Sequence, residues 1–167
     1  MIARVVGLLL LTLAGSALAQ SGGVPDHRWG AMRVDPVVWR HAVAPPHAVV
    51  APINLQMTVS VDVLCYPLAN GRELRLHYSD FELGGERNRQ PDLPARIDND
   101  PPVRMVWAGR GDWMSDPLPP SFAERMRGGT NIFVEWGVYV PVRRGDPLRL
   151  HLRGASAAFD ALPALCR

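Results

Sequence analysis

Apolar and polar residues alternate along several segments of the chain, which is the pattern of β-strands that bury one face. The longest alternating segment covers residues 53–65 and ends in Cys65 on its apolar side. A second one covers residues 130–142 and places Trp136 among its apolar positions, with Phe133 on the opposite face. Because successive side chains in a strand point to opposite faces of a sheet, Cys65 and Trp136 are predicted to face the core.

Each of these segments is followed by a turn and a shorter alternating segment. Asn70 and Gly71 favour a tight turn, after which residues 73–78 alternate with His77 at an outward position. Residues 143–147 form the second turn sequence, and residues 148–153 then alternate with His151 at an outward position. The pattern predicts two antiparallel hairpins.

The chain between the two hairpins has a weaker pattern. Residues 84–102 are rich in Gly, Arg, Asn, Asp and Pro, which predicts a long loop or a weak edge strand. Residues 103–107 predict a short strand, and residues 108–120 an irregular segment. Ser121 and Glu124 have the spacing of a capping box and predict a short helix that ends at Gly128 and Gly129.

The apolar period changes to that of a helix after Gly154. Pro163 should distort the last turn of this helix, because proline lacks a backbone donor. The predicted apolar face contains Ala155, Ala158, Phe159, Leu162 and Cys166. We therefore expect an α+β fold, mainly an antiparallel β-sheet with a short middle helix and a C-terminal helix packed on the sheet.

The N-terminal residues have the three parts of an export signal. Arg4 supplies a positive charge, residues 5–13 are apolar, and Ala17 and Ala19 frame a small-residue cleavage pattern. We expect cleavage after Ala19 and a mature protein that is periplasmic or secreted. The apolar run is shorter than the roughly 20 residues of a membrane-spanning helix, so no span is expected after cleavage. The predicted organisation is a signal peptide at 1–19, an irregular region with edge strands at 20–52, and a single α+β domain core at 53–167.

Cys65 and Cys166 are the two cysteines of the sequence. An even number of cysteines in an exported chain favours a disulfide, which here would enclose most of the mature domain. The alternatives are two buried thiols or a metal held by two sulfurs, and two sulfurs without nearby histidines make a poor zinc site. We predict one disulfide between Cys65 and Cys166.

The charges of the chain are nearly balanced and interleaved. Eighteen basic residues, all of them arginine, stand against 16 acidic ones, for a formal net charge of +2. This pattern argues against a nucleic-acid partner. The absence of lysine indicates a composition bias rather than a special role for every arginine.

The histidines and the loop aspartates are the candidates for chemistry. No spacing among His27, His41, His47, His77 and His151 predicts convergence on a metal. We expect these histidines to be solvated or locally hydrogen-bonded, and we predict no metal, no cofactor and no catalytic set.

Four aspartates in loops suggest an enzymatic alternative. Asp98 with Asp100, or Asp112 with Asp116, would be the paired carboxylates of a cell-wall glycan hydrolase. Aspartates in loops rich in Pro and Gly more often form Asx turns. The Arg-Gly-Asp sequences at 110–112 and 144–146 have the same turn chemistry.

Two tryptophans border a loop that contains arginine. Trp107 and Trp113 lie near Arg104 and Arg110 and would make an exposed patch of the residue types that binding surfaces favour. The alternative is that both indoles cover the sheet.

The order of the elements resembles a known family. A strand that ends in Cys65 is followed by Arg96 and Asp98, a tryptophan, a segment before Gly128, a strand, an alanine-rich segment and Cys166. This order resembles the VasI/TagO-type periplasmic proteins associated with bacterial type VI secretion. The ending also resembles the invasion-associated IalB type.

The resemblance implies a non-enzymatic periplasmic accessory or binding protein, linked to type VI secretion or envelope assembly, with an envelope or secretion-system protein as partner. It implies Arg96, Asp98 and either Trp107 or Trp113 as partner-binding residues, and structural cysteines. A cell-wall hydrolase and a periplasmic inhibitor or immunity protein remain the alternatives.

Overall fold

The computed structural model describes residues 27–53, 59–80, 92–135 and 147–167. The signal peptide predicted at 1–19 lies outside these residues. The strands of the described part are β1 (Arg28–Arg33), β2 (Ala48–Ile53), β3 (Val59–Leu68), β4 (Gly71–Asp80), β5 (Leu93–Ile97), β6 (Val103–Gly109), β7 (Asp112–Ser115), β8 (Asn131–Val134) and β9 (Leu148–His151). The helices are α1 (Pro120–Gly128) and α2 (Ala155–Asp160).

The nine described strands form one antiparallel sheet. Its order is β1-β2-β3-β4-β7-β6-β5-β8-β9. With a middle helix and a C-terminal helix beside this sheet, the predicted α+β fold is confirmed. Neither described helix has the length and apolar content that a bilayer-crossing helix requires.

The β3–β4 hairpin is the longest regular part of the sheet. All ten residues of each strand are paired, from Val59 opposite Asp80 to Leu68 opposite Gly71. The turn falls at Asn70, as predicted, and Gly71 has a φ of +138° that favours glycine. Ile53 belongs to β2 rather than to this strand, and residues 54–58 of the predicted long strand lie outside the described residues.

The main core lies between the inner face of the sheet and the two helices. The inner face includes Val61, Val63, Leu76, Tyr78, Met105 and Ile132. Phe122 and Met126 of α1 and Phe159 of α2 complete this core. The predicted assignment of residues 130–142 is confirmed where it is described, because Ile132 and Val134 are buried and Phe133 is half-buried. Trp136 and the second Arg-Gly-Asp sequence lie outside the described residues.

The disulfide joins Cys65 on the inner face of β3 to the end of the chain. The Cα atoms of Cys65 and Cys166 are 6.0 Å apart, and both residues are fully buried. The predicted helix is too long, because α2 ends at Asp160 and Pro163 precedes a separate 3₁₀ turn, Ala164–Cys166. The proline therefore divides the C-terminal segment, as its missing donor leads us to expect.

Two strands occupy segments for which loops were predicted. β5 lies between β6 and β8, so it is neither a loop nor an edge strand, and its Leu93, Ala95 and Ile97 are buried. Pro94 obscures this strand in the sequence because proline is rare in interior strands. β7 occupies part of the predicted irregular segment 108–120 and pairs with both β4 and β6.

The capping box predicted for α1 does not form. The helix begins at Pro120 after Pro119, and no side chain caps its first turn. Proline suits this position because its missing N–H would have no partner inside the helix.

The N-terminal strands belong to the same sheet as the rest of the domain. β1 is an edge strand and β2 lies between β1 and β3, with Val50 in the main core. The backbone N–H of Trp29 donates to the Arg153 carbonyl at 3.0 Å, and the Trp29 indole donates to the His151 carbonyl at 2.7 Å. These contacts bring the first strand to the last one.

Candidate functional site

Residues 34–47, here called the cover segment, lie over the outer face of the sheet. Val43 and Trp39 of this segment pack with Val49 and Leu64 of the strands below, which makes a second, smaller core. The segment is tied down at one end, where the His47 N–H donates to the Cys65 carbonyl at 2.9 Å. Part of the outer sheet face is therefore buried.

Trp39 holds the cover segment against a group of polar side chains. Its indole N–H donates to the Val43 carbonyl at 2.9 Å, which fixes the ring. The ring centroid lies 4.3 Å from that of His41 and 6.1 Å from that of His77. The indole thus packs beside both histidines.

The strand register brings the polar group together. Asp62 of β3 lies directly opposite His77 of β4, and Ser79 of β4 lies opposite Asp112 of β7. His41 reaches the same place from the cover segment. We call His41, Asp62, His77 and Asp112 the His–Asp cluster.

Hydrogen bonds connect the cluster from end to end. His77 uses Nδ1 toward Asp62 Oδ2 at 3.1 Å and Nε2 toward Asp112 Oδ1 at 3.2 Å. His41 Nδ1 lies 2.9 Å from the same Asp112 Oδ1. The Ala42 N–H donates to Asp112 Oδ2 at 2.5 Å. The carboxylates of Asp62 and Asp112 are therefore both hydrogen-bonded within the cluster.

His77 is fully buried, although the sequence pattern places it outward and leads us to expect solvent there. The outward orientation relative to the main core is correct, because Leu76 and Tyr78 on either side of it face that core. The cover segment closes this outer position from water. The hydrogen-bond partners of His77 are Asp62 and Asp112, which are 15 and 35 positions away on neighbouring strands.

Opposing influences set the charge of His77. Burial lowers the pKa of a histidine, but the hydrogen bonds and charges of Asp112 and Asp62 outweigh burial and raise the pKa of His77 to about 9. Burial likewise acts to raise the pKa of Asp112, but hydrogen bonds from His41, His77 and the Ala42 N–H hold it well below its usual range. His77 is thus an imidazolium between two carboxylates at neutral pH.

The cluster also has the donor set of a metal site. His41, His77 and Asp112 each offer one ligand atom, and these atoms lie within 4.8 Å of one another. The sequence predicts no such convergence, since 71 positions separate His41 from Asp112. One residue in the sequence points to a buried outer face. Leu64 is apolar although it occupies an outward position of β3, and it is fully buried.

The sequence-predicted residue Arg96 lies on the outer face of the sheet, because its neighbours Ala95 and Ile97 are buried in the main core. Its Nε donates to Glu135 Oε1 at 2.9 Å, and its guanidinium lies 4.4 Å from the Phe133 ring centroid. Arg96 of β5, Phe133 of β8 and Arg149 of β9 are directly opposite one another. We call these three residues the arginine row.

Asp98 stabilises the backbone next to the arginine row. Its carboxylate accepts the N–H groups of Thr130 at 2.8 Å and Asn131 at 2.9 Å. The bond from Thr130 is the largest of the influences that lower the pKa of Asp98. Its φ of +45° is left-handed, a conformation that aspartate tolerates.

The two sequence-predicted tryptophans lie on the opposite face from Arg96. Trp113 is fully buried in the main core, against Tyr78 at 5.4 Å and Trp107 at 4.7 Å between ring centroids. Trp107 is half-buried and packs against the same core. The structure therefore does not combine these indoles with Arg96 and Asp98 in one surface. Trp113 has no exposed surface that a partner could contact.

The four loop aspartates have separate environments. Asp98 accepts backbone N–H groups, Asp100 lies 3.4 Å from Arg125, and Asp116 is exposed. Asp112 lies in the His–Asp cluster. The turn predicted at 110–112 is present, since Gly109, Arg110 and Gly111 have positive φ, but the carboxylate of Asp112 binds histidines rather than its own turn.

Comparisons of the chain with protein-family models, with curated proteins and with solved structures find no match. The class of protein that the fold defines is a disulfide-bonded α+β domain with a large antiparallel sheet. Its function is inferred from the arrangement of its side chains.

Proposed function

We propose that this protein is a non-enzymatic accessory protein of the bacterial envelope that binds another envelope or secretion-system protein. The proposed binding surface is the part of the outer face of β5, β6, β8 and β9 that the cover segment does not reach. The proposed partner presents an acidic segment to this face.

The arginine row is the observation that carries this proposal. Arg149 is exposed, and the side chain of Arg104 on neighbouring β6 is 72% exposed. Phe133 supplies an aromatic surface between Arg96 and Arg149. Arginine and aromatic residues are common in protein-binding hot spots. Side chains already held on a rigid sheet lose little conformational freedom on binding.

The disulfide supports the proposed compartment. Disulfides persist in the periplasm and outside the cell, and they are rare in the reducing cytoplasm. The Cys65–Cys166 bond is therefore consistent with export and with a periplasmic or secreted protein. The resemblance to VasI/TagO-type proteins makes a type VI secretion component the first partner to examine.

Cross-linking in the intact envelope, followed by purification and mass spectrometry, tests the proposal. The decisive variant is Arg104→Glu combined with Arg149→Glu, which reverses two exposed charges on the proposed surface. The control is Arg72→Glu, which reverses an exposed arginine on the distant β3–β4 hairpin. We expect an envelope protein that is cross-linked to the wild type and the control and lost with the double variant. Equal cross-linking of all three proteins would reject the surface.

The alternatives predict different results in the same material. A hydrolase would clear a peptidoglycan zymogram. An inhibitor or immunity protein would capture a hydrolase or toxin as its cross-linked partner and abolish the activity of that enzyme.

A further inference from the structure

We propose that His41, His77 and Asp112 bind one divalent transition-metal cation of the zinc class. The cation would connect the cover segment to β4 and β7. This inference is independent of the proposed partner surface, which lies on another part of the sheet.

Two of the three distances between ligand atoms are close to those around a tetrahedral ion, and all three atoms lie within 4.8 Å of one another. Ligand atoms about 2.0–2.1 Å from zinc are about 3.4 Å from one another in a tetrahedron. The Nδ1 of His41 lies 2.9 Å and the Nε2 of His77 lies 3.2 Å from Asp112 Oδ1. Small movements of these side chains would place an ion between all three atoms.

The surrounding hydrogen bonds are those of a supported metal site. Asp62 accepts from His77 Nδ1, which directs the Nε2 of the same ring toward Asp112. Ser60 donates to Asp62 Oδ2 at 3.0 Å, and the Ala42 N–H occupies Asp112 Oδ2, so that Oδ1 is left toward the histidines. Carboxylates behind histidine ligands and hydrogen bonds behind carboxylate ligands are the usual outer partners of a bound metal.

The charge of the cluster also favours a cation. Two carboxylates, those of Asp62 and Asp112, lie in a buried place on either side of His77. Arg75, two positions before His77 on β4, is already paired with Glu73. A divalent cation would add positive charge beside these carboxylates, and imidazole ligands bind such an ion through unprotonated ring nitrogens.

The type of donor selects the class of ion. Two imidazole nitrogens and one carboxylate oxygen suit zinc or copper, whereas magnesium and calcium prefer sites made of oxygen ligands. Three protein ligands leave a fourth position for water or another donor. The side chain of His41 is 16% exposed, while those of His77 and Asp112 are almost fully buried, so the ion would enter from the His41 side.

Calorimetric titration of the disulfide-bonded protein tests the site after treatment with a chelator. We expect saturable binding of one Zn²⁺ per chain, a rise in the melting temperature with Zn²⁺, and no comparable heat with Mg²⁺. His41→Gln removes the most exposed ligand and should weaken Zn²⁺ binding at least tenfold. His47→Gln is the matched control, because this half-buried histidine lies on the same cover segment outside the cluster.

Two further measurements keep the test decisive. Asp62→Asn should weaken binding about 10- to 100-fold through the orientation of His77. Co²⁺ should give a tetrahedral absorption spectrum in the wild type that changes in His41→Gln and Asp62→Asn but not in His47→Gln. Failure to bind one Zn²⁺ per chain, or equal affinity of His41→Gln and His47→Gln, would overturn the proposal. Retained near-ultraviolet circular dichroism shows that each variant remains folded.

Discussion

His77 connects the two buried carboxylates of the His–Asp cluster. Without a metal it must donate to Asp62 and Asp112 together, which requires both ring nitrogens to be protonated. The two carboxylates on either side of the ring raise the pKa of His77, whereas its burial acts in the opposite direction. Burial of the two carboxylates is unfavourable, and His77 offsets this cost by bonding to both of them.

Replacement of His77 by glutamine should strongly destabilise the protein. The change leaves two buried carboxylates without the positive charge between them, and the free energy of unfolding should fall by about 3–5 kcal/mol. Urea unfolding in the presence of a chelator measures this loss. His151→Gln, at a half-buried position on β9, is the control and should cost about 1 kcal/mol or less. A loss below about 1 kcal/mol in His77→Gln would contradict the role given to the cluster.

The lowered pKa of Asp98 should make the stability of the protein depend on pH. Its pKa in the folded protein lies below the ordinary value of 3.8, so its stabilising effect is complete above that value and disappears as the pH falls through the folded-state pKa. Wild type should be more stable than Asp98→Asn at pH 7, and the difference should shrink below pH 3.8. Thermal unfolding at several pH values measures both proteins. Exposed Asp116→Asn should show no such difference, and a gap that stays constant in acid would refute the assignment.

At the scale of elements, the end of α1 shows how closely the helix approaches the sheet. A Cβ added to Gly129 would lie 2.7 Å from Ile97 Cγ2 and 2.8 Å from the Arg125 carbonyl oxygen. A Cβ added to neighbouring Gly128 would meet no atom within 4 Å. Gly129 is therefore required by packing, whereas Gly128 is not.

The two glycine-to-alanine variants should differ in stability. Gly129→Ala should lower the free energy of unfolding by about 1–3 kcal/mol, because the backbone must shift to admit the methyl group. Gly128→Ala should be neutral or slightly stabilising, since alanine favours helix over glycine. Chemical denaturation of both variants checks this order. Equal stabilities would contradict the close packing of Gly129 against Ile97.

The disulfide should stabilise the C-terminal segment first. The bonded cysteines are 101 positions apart, and a closed loop of this length is worth about 4–5 kcal/mol in the chain-entropy model. The variant Cys65→Ser with Cys166→Ser should lose stability of this order. Hydrogen exchange should increase in the whole domain because the global stability falls, and it should increase most in residues 155–167. An equal increase in residues 155–167 and in the β3–β4 hairpin would contradict this local role.

The elements that the sequence predicts well have long local patterns. The β3–β4 hairpin combines strict alternation with Asn70 and Gly71 at the turn, so neighbouring residues determine it. β5 has only five residues, contains Pro94, and pairs with the following strand β6 and with β8, which lies much further along the chain. Its position inside the sheet depends on the pairing with β8, which a local pattern does not contain.

At the scale of the whole molecule, different segments of the chain pack against the two faces of the sheet. The helices bury its inner face, the cover segment buries the outer face near β2 and β3, and the arginine row lies on the remaining outer face. The sequence resemblance implies Arg96 as a partner-binding residue, and that role stays a prediction. The His–Asp cluster could not be predicted from the sequence, since it requires the register of three strands and the path of residues 34–47 above them.

The central claim is that the His–Asp cluster binds a metal ion beneath the cover segment. Anomalous X-ray diffraction from crystals of the Zn²⁺-loaded protein, measured on both sides of the zinc absorption edge, tests this claim most directly. We predict one strong zinc peak between His41, His77 and Asp112, with Asp62 still bonded to His77. A well-ordered cluster without a zinc peak, or a peak only at other residues, would contradict the claim.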